Sequence, residues 1–378
     1  MSVTPVVLQV LPALVSGGVE RGTLEVAAAL RRNGYTALVA SSGGPLVNEL
    51  DACGAVHLTL PLKTKNPFMI WKNAKRLEQL IRTHGVNIVH ARSRAPAWSA
   101  YLAARRCGVP FVTTYHAAYN TGNIFRKIYA SVMAKGDRVI VISRFIEATI
   151  RNTYKLPTAR IRLIYRGFDH TRFSPALVSA ERIDKLRQSW ALPAGVLVIL
   201  CPGRITRTKG QEVLVRAVAL IKDIPFVCVL AGDAQGRMAV LDDLKALAEK
   251  LEVADRVIVT GGYTDAPAVM ALADIVVTPA VLPEAFGRTT VEAQAMAKYV
   301  ISTNNGAAPE IITQGQTGWL VEPGDVLALA AALRTFFALD PQVRQQGEQL
   351  ARTQALTRFS TQVMCEQTLD LYRELLRV

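Results

Sequence analysis

Short apolar runs alternate with amphipathic stretches along the whole chain. VVLQVL (6–11), TALVAS (36–41), VNIVHA (86–91), FVTTYH (111–116), RVIVIS (138–143) and IRLIYR (161–166) predict strands. Several are apolar throughout, as in a parallel sheet covered by helices on both faces. Helical patterns lie between them, such as VERGTLEVAAALRRNG, with Leu24, Ala27, Ala28 and Leu30 at helical spacing. After FDHTRFSP, the polar stretch ALVSAERIDKLRQSWALPAG reads as a linker and lead-in to a second unit. The alternation then restarts with VLVILCPG (196–203), FVCVLAGD (226–233), RVIVTGG (256–262), DIVVTPA (274–280) and YVISTN (299–304). The last segment, STQVMCEQTLDLYRELLRV, is an amphipathic helix with Met364, Leu369, Tyr372 and Leu376 near one face. The expected fold class is α/β, with two doubly wound halves of similar size. Ligands in such sheets bind beyond the carboxyl ends of the strands, so two facing halves are expected to hold theirs in a cleft.

Composition fits this picture. A chain of 378 residues, 50% of them hydrophobic, is globular and too long for a single core. No apolar run approaches the roughly 18 residues of a membrane span. The chain enters its first strand without a basic-then-apolar leader. Its five cysteines are scattered and odd in number, and read as reduced thiols. A cytoplasmic protein is the expectation.

Charge is distributed unevenly. Residues 1–175 carry 24 Lys and Arg against 8 Asp and Glu, a net +16, whereas residues 176–378 carry 20 against 22. A basic first half attracts an anionic substrate, an anionic membrane surface or nucleic acid.

The segment PEAFGRTTVEAQAM holds the most telling chemistry. Pro283 and Gly287 break regular structure and leave Glu284 on a loop. Thr289 is expected to cap a helix running to about Lys298, with Glu292 in its first turn. The two carboxylates suit sugar hydroxyls, and the first-turn N–H groups suit a phosphate. Thr289-x-x-Glu292 also reads simply as a capping box. Three further features point the same way. Gly17-Gly18 between the first strand and helix lets backbone approach a ligand, or forms a plain tight turn. The loop GRITRTKG (203–210) sets Arg204 and Lys209 to neutralise a diphosphate, or is a solvated basic loop. His116 ends a strand at the carboxyl edge, as a ligand contact or a structural histidine. G-x-G-x-x-G, Walker A, D-x-D and H-E-x-x-H motifs are all absent, so no metal is expected.

Taken together the motifs resemble those of the retaining nucleotide-sugar glycosyltransferases of the GT-B fold, specifically glycosyltransferase family 4. The likeness runs through GGVER, NIVHARS, TYH, VISRF, IYRGFDHTRF, PGRITRTKG, AGD, PEAFGRTTVEA, NNGAAPEII and TGWLVEPGD. It implies two Rossmann-like domains facing a central cleft: an acceptor-binding domain (1–175), a nucleotide-sugar-binding domain (176–358) and a final helix (359–378) crossing back to the first. It implies Glu284 by the donor sugar and Glu292 on the ribose. The backbone of Phe286, Gly287, Arg288 and Thr289 would hold sugar and phosphate, and Arg204 and Lys209 the diphosphate. Gly17 and Gly18 would reach the donor, and His116 would lie near the reacting sugar. No cofactor or metal is implied beyond the nucleotide-sugar donor, a co-substrate. Three positions depart from the family's pattern: Arg166 stands where Asn is common, Arg288 and Thr289 where apolar residues are common, and Ala307 where a Gly is common.

The expected activity is transfer of a hexose or N-acetylhexosamine, most simply from a UDP-sugar, by front-face attack with retention. Acceptors such as lipopolysaccharide core, another cell-surface polysaccharide or a lipid-linked, anionic glycan would suit the basic half. Residues 63–82 combine Lys63, Lys65, Lys72, Lys75 and Arg76 with Phe68, Met69, Ile70 and Trp71. They suggest peripheral contact with the anionic inner face of the cytoplasmic membrane, or an ordinary amphipathic core helix. A nucleotide-sugar 2-epimerase is the rival within the fold. A nucleic-acid-binding protein would account for the charge, but no recognised module is present and aromatics are only 7%, so no nucleic-acid partner is expected.

Overall fold

The computed structural model describes residues 4–15, 17–119 and 122–377. It divides into two compact units, Met1–Gly167 with Thr361–Val378, and Phe168–Ser360.

The first unit runs β1 (Val6–Val10), α1 (Gly18–Arg32), β2 (Thr36–Ser41), α2 (Val47–Ala52), β3 (Val56–Thr59), α3 (Pro67–Thr83) and β4 (Ile88–Ala91). It continues with α4 (Arg94–Cys107), β5 (Phe111–Tyr115), α5 (Ile124–Ser131), β6 (Arg138–Val141), α6 (Arg144–Tyr154) and β7 (Ile161–Leu163). The strands form one parallel sheet in the order β3-β2-β1-β4-β5-β6-β7. Local chemistry sets the helix starts. Asn66 accepts from the amides of Phe68 and Met69 ahead of Pro67, and Ser143 accepts from Ile146. α4 stops at Gly108, whose φ of 68° belongs to the left-handed region.

The second unit opens with α7 (Ala180–Ser189), then β8 (Leu197–Pro202), α8 (Gln211–Val218), β9 (Phe226–Ala231), α9 (Met238–Lys250), β10 (Val257–Gly261) and α10 (Ala266–Leu272). β11 (Ile275–Thr278), α11 (Arg288–Ala295), β12 (Tyr299–Thr303), α12 (Ala308–Ile311), β13 (Gly318–Val321), α13 (Val326–Phe337) and α14 (Pro341–Phe359) complete it. Its parallel sheet has the order β10-β9-β8-β11-β12-β13. Its core joins Ile199, Leu214, Leu230, Val277, Ile301 and Phe336.

The last helix, α15 (Thr361–Leu376), belongs to the first unit. It adds Met364, Cys365, Leu369, Leu371 and Tyr372 to a core built on Val7, Leu30 and Ile88. At roughly 2 kcal/mol per large buried side chain, this contact is a substantial part of that unit's stability.

The first unit ends at Gly167, short of the expected boundary at 175. The amide of Phe168 donates to Phe359 O at 2.9 Å, and Phe168 forms a parallel bridge with Ser360. The outgoing and returning strands of chain therefore lie side by side. Two strands were not anticipated. β3 is an edge strand with no fully buried residue, and β13 has only four residues beginning with a glycine. Neither carries the long apolar run that marks the central strands.

Candidate functional site

In the second unit β8 and β11 are neighbours at the point where the strand order reverses, and their carboxyl ends carry the loops 203–210 and 279–287. The loops are knitted together. Val281 donates to Thr208 O at 3.0 Å, and Gly210, at φ 72°, packs so tightly that a Cβ there would lie 1.8 Å from Pro279 O. Lys209 Nζ donates to Glu284 Oε1, closing an ion pair. Arg204 leaves its side chain exposed while its carbonyl accepts from Gln211 Nε2 at 3.0 Å. Beneath this pair the Cys201 thiol is pushed up to about 12 by burial. The Glu284 backbone is pinned from the other side, where its carbonyl accepts from Ala307 at 3.0 Å.

α11 does not start as expected. It begins at Arg288 from Gly287, whose φ of 79° is left-handed, with no side-chain cap. Thr289 lies inside the helix and Glu292 in its second turn, so Thr289-x-x-Glu292 is not a capping box. The glycine makes the entry turn that a threonine avoids, and the helix starts earlier and ends at Ala295 rather than near Lys298. Glu292 is 8% exposed, and Arg288 Nε donates to its Oε1 at 2.6 Å across one turn. Burial, and then Glu292, push the nearby Tyr263 phenol up to about 12. The Phe286 ring is buried and packs edge-on against Phe359 at 5.7 Å, so it serves the core while its backbone stays with the loop. The two loops thus bring Lys209 and Glu284 together at one sheet edge, followed by Arg288 and Glu292 on α11 with its uncapped N–H groups.

In the first unit the carboxyl ends of the neighbouring strands β1, β4 and β5 lead to Gly17-Gly18, Arg92 and His116. Gly17 is the N-cap of α1 at φ 136°, a backbone conformation that favours glycine. A small cavity is lined by Gly18, Gly22, Arg92, Thr114, His116 and Arg166. Both ring nitrogens of His116 are buried without a partner. Burial, with Arg92, Arg166 and His90 nearby, holds its pKa well below the usual histidine range, so the ring is neutral. His90 ties the cluster to the last helix, with Nδ1 2.5 Å from Tyr372 Oη and Nε2 2.7 Å from Thr114 Oγ1. Sequence reading passed over Arg92 and Gly22. The signal was the i, i+4 spacing of Gly18 and Gly22, which bares one face of α1.

Within residues 63–82, α3 buries Asn73, Ala74, Leu77 and Ile81. Phe68 and Trp71 are exposed, with Lys75 Nζ 3.9 Å from the Trp71 ring, while Met69 and Ile70 are half-buried. A second apolar group was missed: α5 exposes Ile124, Phe125 and Ile128 beside Arg126 and Lys127. Among the described residues no single helix is long and apolar enough to cross a membrane, and no group of three or more His, Cys, Asp or Glu is placed to hold a metal ion.

Two family models match the chain, Glycosyltransferase Family 4 over residues 16–172 and Glycosyl transferases group 1 over residues 182–353. The fold is that of a glycosyltransferase from Rickettsia africae ESF-5, with TM-score 0.92, 39% identity and 99% of each chain covered. Anabaena Alr3699/HepE, solved in complex with UDP and glucose, aligns with TM-score 0.79 and 23% identity over 97% of this chain and 99% of that one. A D-inositol 3-phosphate glycosyltransferase of Streptomyces avermitilis is 28% identical over 76% of this chain. This chain spans only 65% of that relative's length.

Proposed function

This chain belongs to glycosyltransferase family 4, with the GT-B fold, and we propose that it is a retaining, metal-independent hexosyltransferase. It moves a hexose or N-acetylhexosamine from a nucleotide-diphosphate sugar, a UDP-sugar first among candidates, to an anionic glycan or glycolipid such as lipopolysaccharide core. The observation that carries this reading is the Lys209–Glu284 ion pair on the loops after β8 and β11, with the Arg288–Glu292 pair on the helix that follows. The Anabaena relative's complex with UDP and glucose supports the choice of donor.

In this reading Glu292 takes the ribose hydroxyls, and Glu284 the donor sugar. Arg204, Lys209 and the N–H groups of α11 take up charge on the departing diphosphate, the work a divalent ion does elsewhere. Gly17 and Gly18 approach the donor with backbone, and His116 lies by the reacting sugar as a neutral hydrogen-bonding group. The acceptor hydroxyl attacks from the face the diphosphate leaves, and a leaving-group oxygen takes its proton. The C1–O bond to the diphosphate breaks, one to the acceptor forms, and configuration is retained.

Thermal stabilisation and hydrolysis measured across UDP-, GDP- and ADP-sugars test the reading directly. A UDP-sugar is expected to raise Tm and turn over without added metal and in the presence of EDTA. Loss of turnover in EDTA overturns metal independence, and an inverted product anomer overturns retention. Donor consumption with no acceptor and a 2-epimeric product assigns the chain to the epimerases instead.

The basic first unit supports a second element, peripheral contact with an anionic bilayer through Phe68 and Trp71 of α3 and Ile124, Phe125 and Ile128 of α5. Binding to vesicles containing anionic lipid is expected to fall as salt rises. Equal partition onto neutral and anionic vesicles refutes it.

A further inference from the structure

The first unit has a second cavity, at the sheet edge opposite the one that carries His116. It measures about 700 Å³ and opens to solvent beside the amino ends of β5, β6 and β7. Arg105 of α4, Lys135, Lys155 at the end of α6 and Arg160 line it. Among the described residues Asp137 is the only carboxylate in its wall. Arg105 grips Asp137 through both Nη atoms, at 2.8 and 3.1 Å. Arg160 donates to neutral acceptors, the carbonyls of Ala134 at 3.0 Å and Gly136 at 3.1 Å. Lys135 Nζ lies 5.6 Å from the centre of the Tyr101 ring. Among the described residues neither Lys135 nor Lys155 has an ion-pair partner. Helix dipoles do not close the gap. α4 and α6 end at this edge, and each C-terminus offers roughly half a negative charge, so an excess of about two positive charges is left. Lys155 itself is out of the ordinary. It ends α6 at φ 50°, in the left-handed region, where α4 uses Gly108 at φ 68°. A lysine is strained there, and strain of this kind gathers at functional positions.

We propose that Lys135, Lys155 and Arg160 bind a phosphate monoester in this cavity. Such a group carries a charge of about −1.5 to −2 at neutral pH and meets the excess, whereas a single carboxylate leaves half of it unmatched. The carbonyls that hold Arg160 fix its plane in advance, so an oxyanion meets donors that are already ordered. The site lies across the sheet from the loops that carry Gly17, Gly18 and His116, so it is distinct from the donor site and from the place of transfer. Its ligand can come from either of two sources. Ser131, at the end of α5, forms part of the wall, and Tyr154 Oη donates to Lys127 O at 3.1 Å. Ile124 and Ile128 precede Ser131 at helical spacing and are both exposed, so a lipid headgroup phosphate reaches the cavity from beside that apolar stripe. A soluble phosphate monoester enters from open solvent. The anion site is independent of the transferase reading, and only its lipid source rests on the bilayer contact.

The test titrates glycerol 3-phosphate into the full-length protein at saturating UDP by calorimetry, for wild type, Lys155→Asn and the double variant Lys135→Gln/Lys155→Asn. Asparagine suits the left-handed turn and the lysine makes no bond, so Lys155→Asn is expected to melt no lower than wild type. Affinity is expected to fall about 3-fold in the single variant and about 10-fold or more in the double. Sedimentation with phosphatidylcholine vesicles separates the sources, comparing phosphatidic acid, a monoester, with phosphatidylglycerol, a diester, at equal surface charge. A preference for phosphatidic acid that the double variant abolishes assigns the phosphate to a lipid. Glycerol 3-phosphate binding without that preference assigns it to a soluble ligand. Absence of both in wild type overturns the proposal, as does binding that the double variant leaves unchanged. Loss of glycerol 3-phosphate binding only when UDP is added places the phosphate in the donor site and overturns it too. If neither kind of vesicle binds while glycerol 3-phosphate still depends on Lys155, the bilayer contact falls and the phosphate site stands.

Discussion

Lys209 and Glu284, 75 residues apart, hold each other in an ion pair, although one is the cation assigned to a diphosphate and the other the carboxylate assigned to a sugar. Both side chains are about 30% exposed, so the pair itself contributes little to stability, on the order of 1 kcal/mol or less. Its importance lies in placing the ammonium before the donor arrives. Lys209→Ala is expected to lower kcat/KM at least 100-fold while moving Tm by only a few degrees. Glu284→Gln should lower kcat/KM less, and the double variant should fall no further than Lys209→Ala alone, because the two act as a unit. Steady-state kinetics with the preferred UDP-sugar decide the matter. Additive losses refute the coupling, and near-normal turnover in Lys209→Ala refutes its role with the diphosphate.

The Glu284 loop is held by backbone, which makes one glycine a sharp probe. A Cβ on Gly306 would lie 2.3 Å from Glu284 O and 2.6 Å from Glu284 N, and its φ of 57° is already left-handed. Nothing flexible can yield there. Gly306→Ala is expected to cost roughly 2 kcal/mol or more and to move Glu284 away from Lys209, lowering kcat/KM more than 10-fold. Gly315→Ala, at φ 73° with open space around it, carries the backbone strain without the clash. It should cost about 1 kcal/mol and spare activity. Equal kinetic losses in both would show that Gly306 matters only through general stability.

The fold was legible because its central strands are buried on both faces. TALVAS and FVTTY are apolar or small throughout, and each appears as a strand where its run lies. Edge strand β3 was missed for the converse reason, and β13, although mostly buried, because it is four residues long and opens on a glycine. Of the sites, the Glu284 segment and the Lys209 loop stood out because Pro and Gly flank charged residues. The start of α11 was misread because Ser and Thr are the usual caps, and nothing in GRTT says that Gly287 will take a left-handed φ. Arg92 was invisible as chemistry. Its meaning depends on two bare positions of α1 seventy residues earlier and on His116 beyond it, and only the sheet order β1-β4-β5 brings these together.

The histidines of the first unit imply a pH dependence. His90 and His116 both have pKa values held well below the usual 6.5, chiefly by burial, and His57 is lowered more mildly. The unfolded chain therefore binds more protons than the native one below pH 6.5, and stability falls as pH drops from there. Each such histidine contributes up to about 1.4 kcal/mol per pH unit until its own native pKa is reached. Tm should be flat from pH 8 to 7 and drop by several degrees between pH 6.5 and 5.5, above the range where carboxylates titrate. His90→Gln should reduce that slope, while lowering Tm at pH 7.5 by disturbing Tyr372 and Thr114. A Tm independent of pH across 5.5–7 would show that these rings are not held neutral.

Arg288 stands where family members commonly have an apolar residue, and it spends its Nε on Glu292 at 2.6 Å. Glu292 is nearly buried, so the arginine's hydrogen bond aims that carboxylate along one rotamer before any ribose arrives. The ribose is remote from the bond that breaks, and its hydrogen bonds are equal in ground and transition states. Losing them should raise KM and leave kcat alone. Glu292→Gln is expected to raise the donor KM 10-fold or more. Arg288→Leu, which keeps the carboxylate but frees its orientation, should raise KM about 3-fold to 10-fold, with kcat changed less than 2-fold. Donor KM and kcat measured for both variants provide the check. A lower KM in Arg288→Leu would mean that the arginine competes with the nucleotide for Glu292 rather than presenting it, and an unchanged KM in Glu292→Gln would remove Glu292 from the donor site.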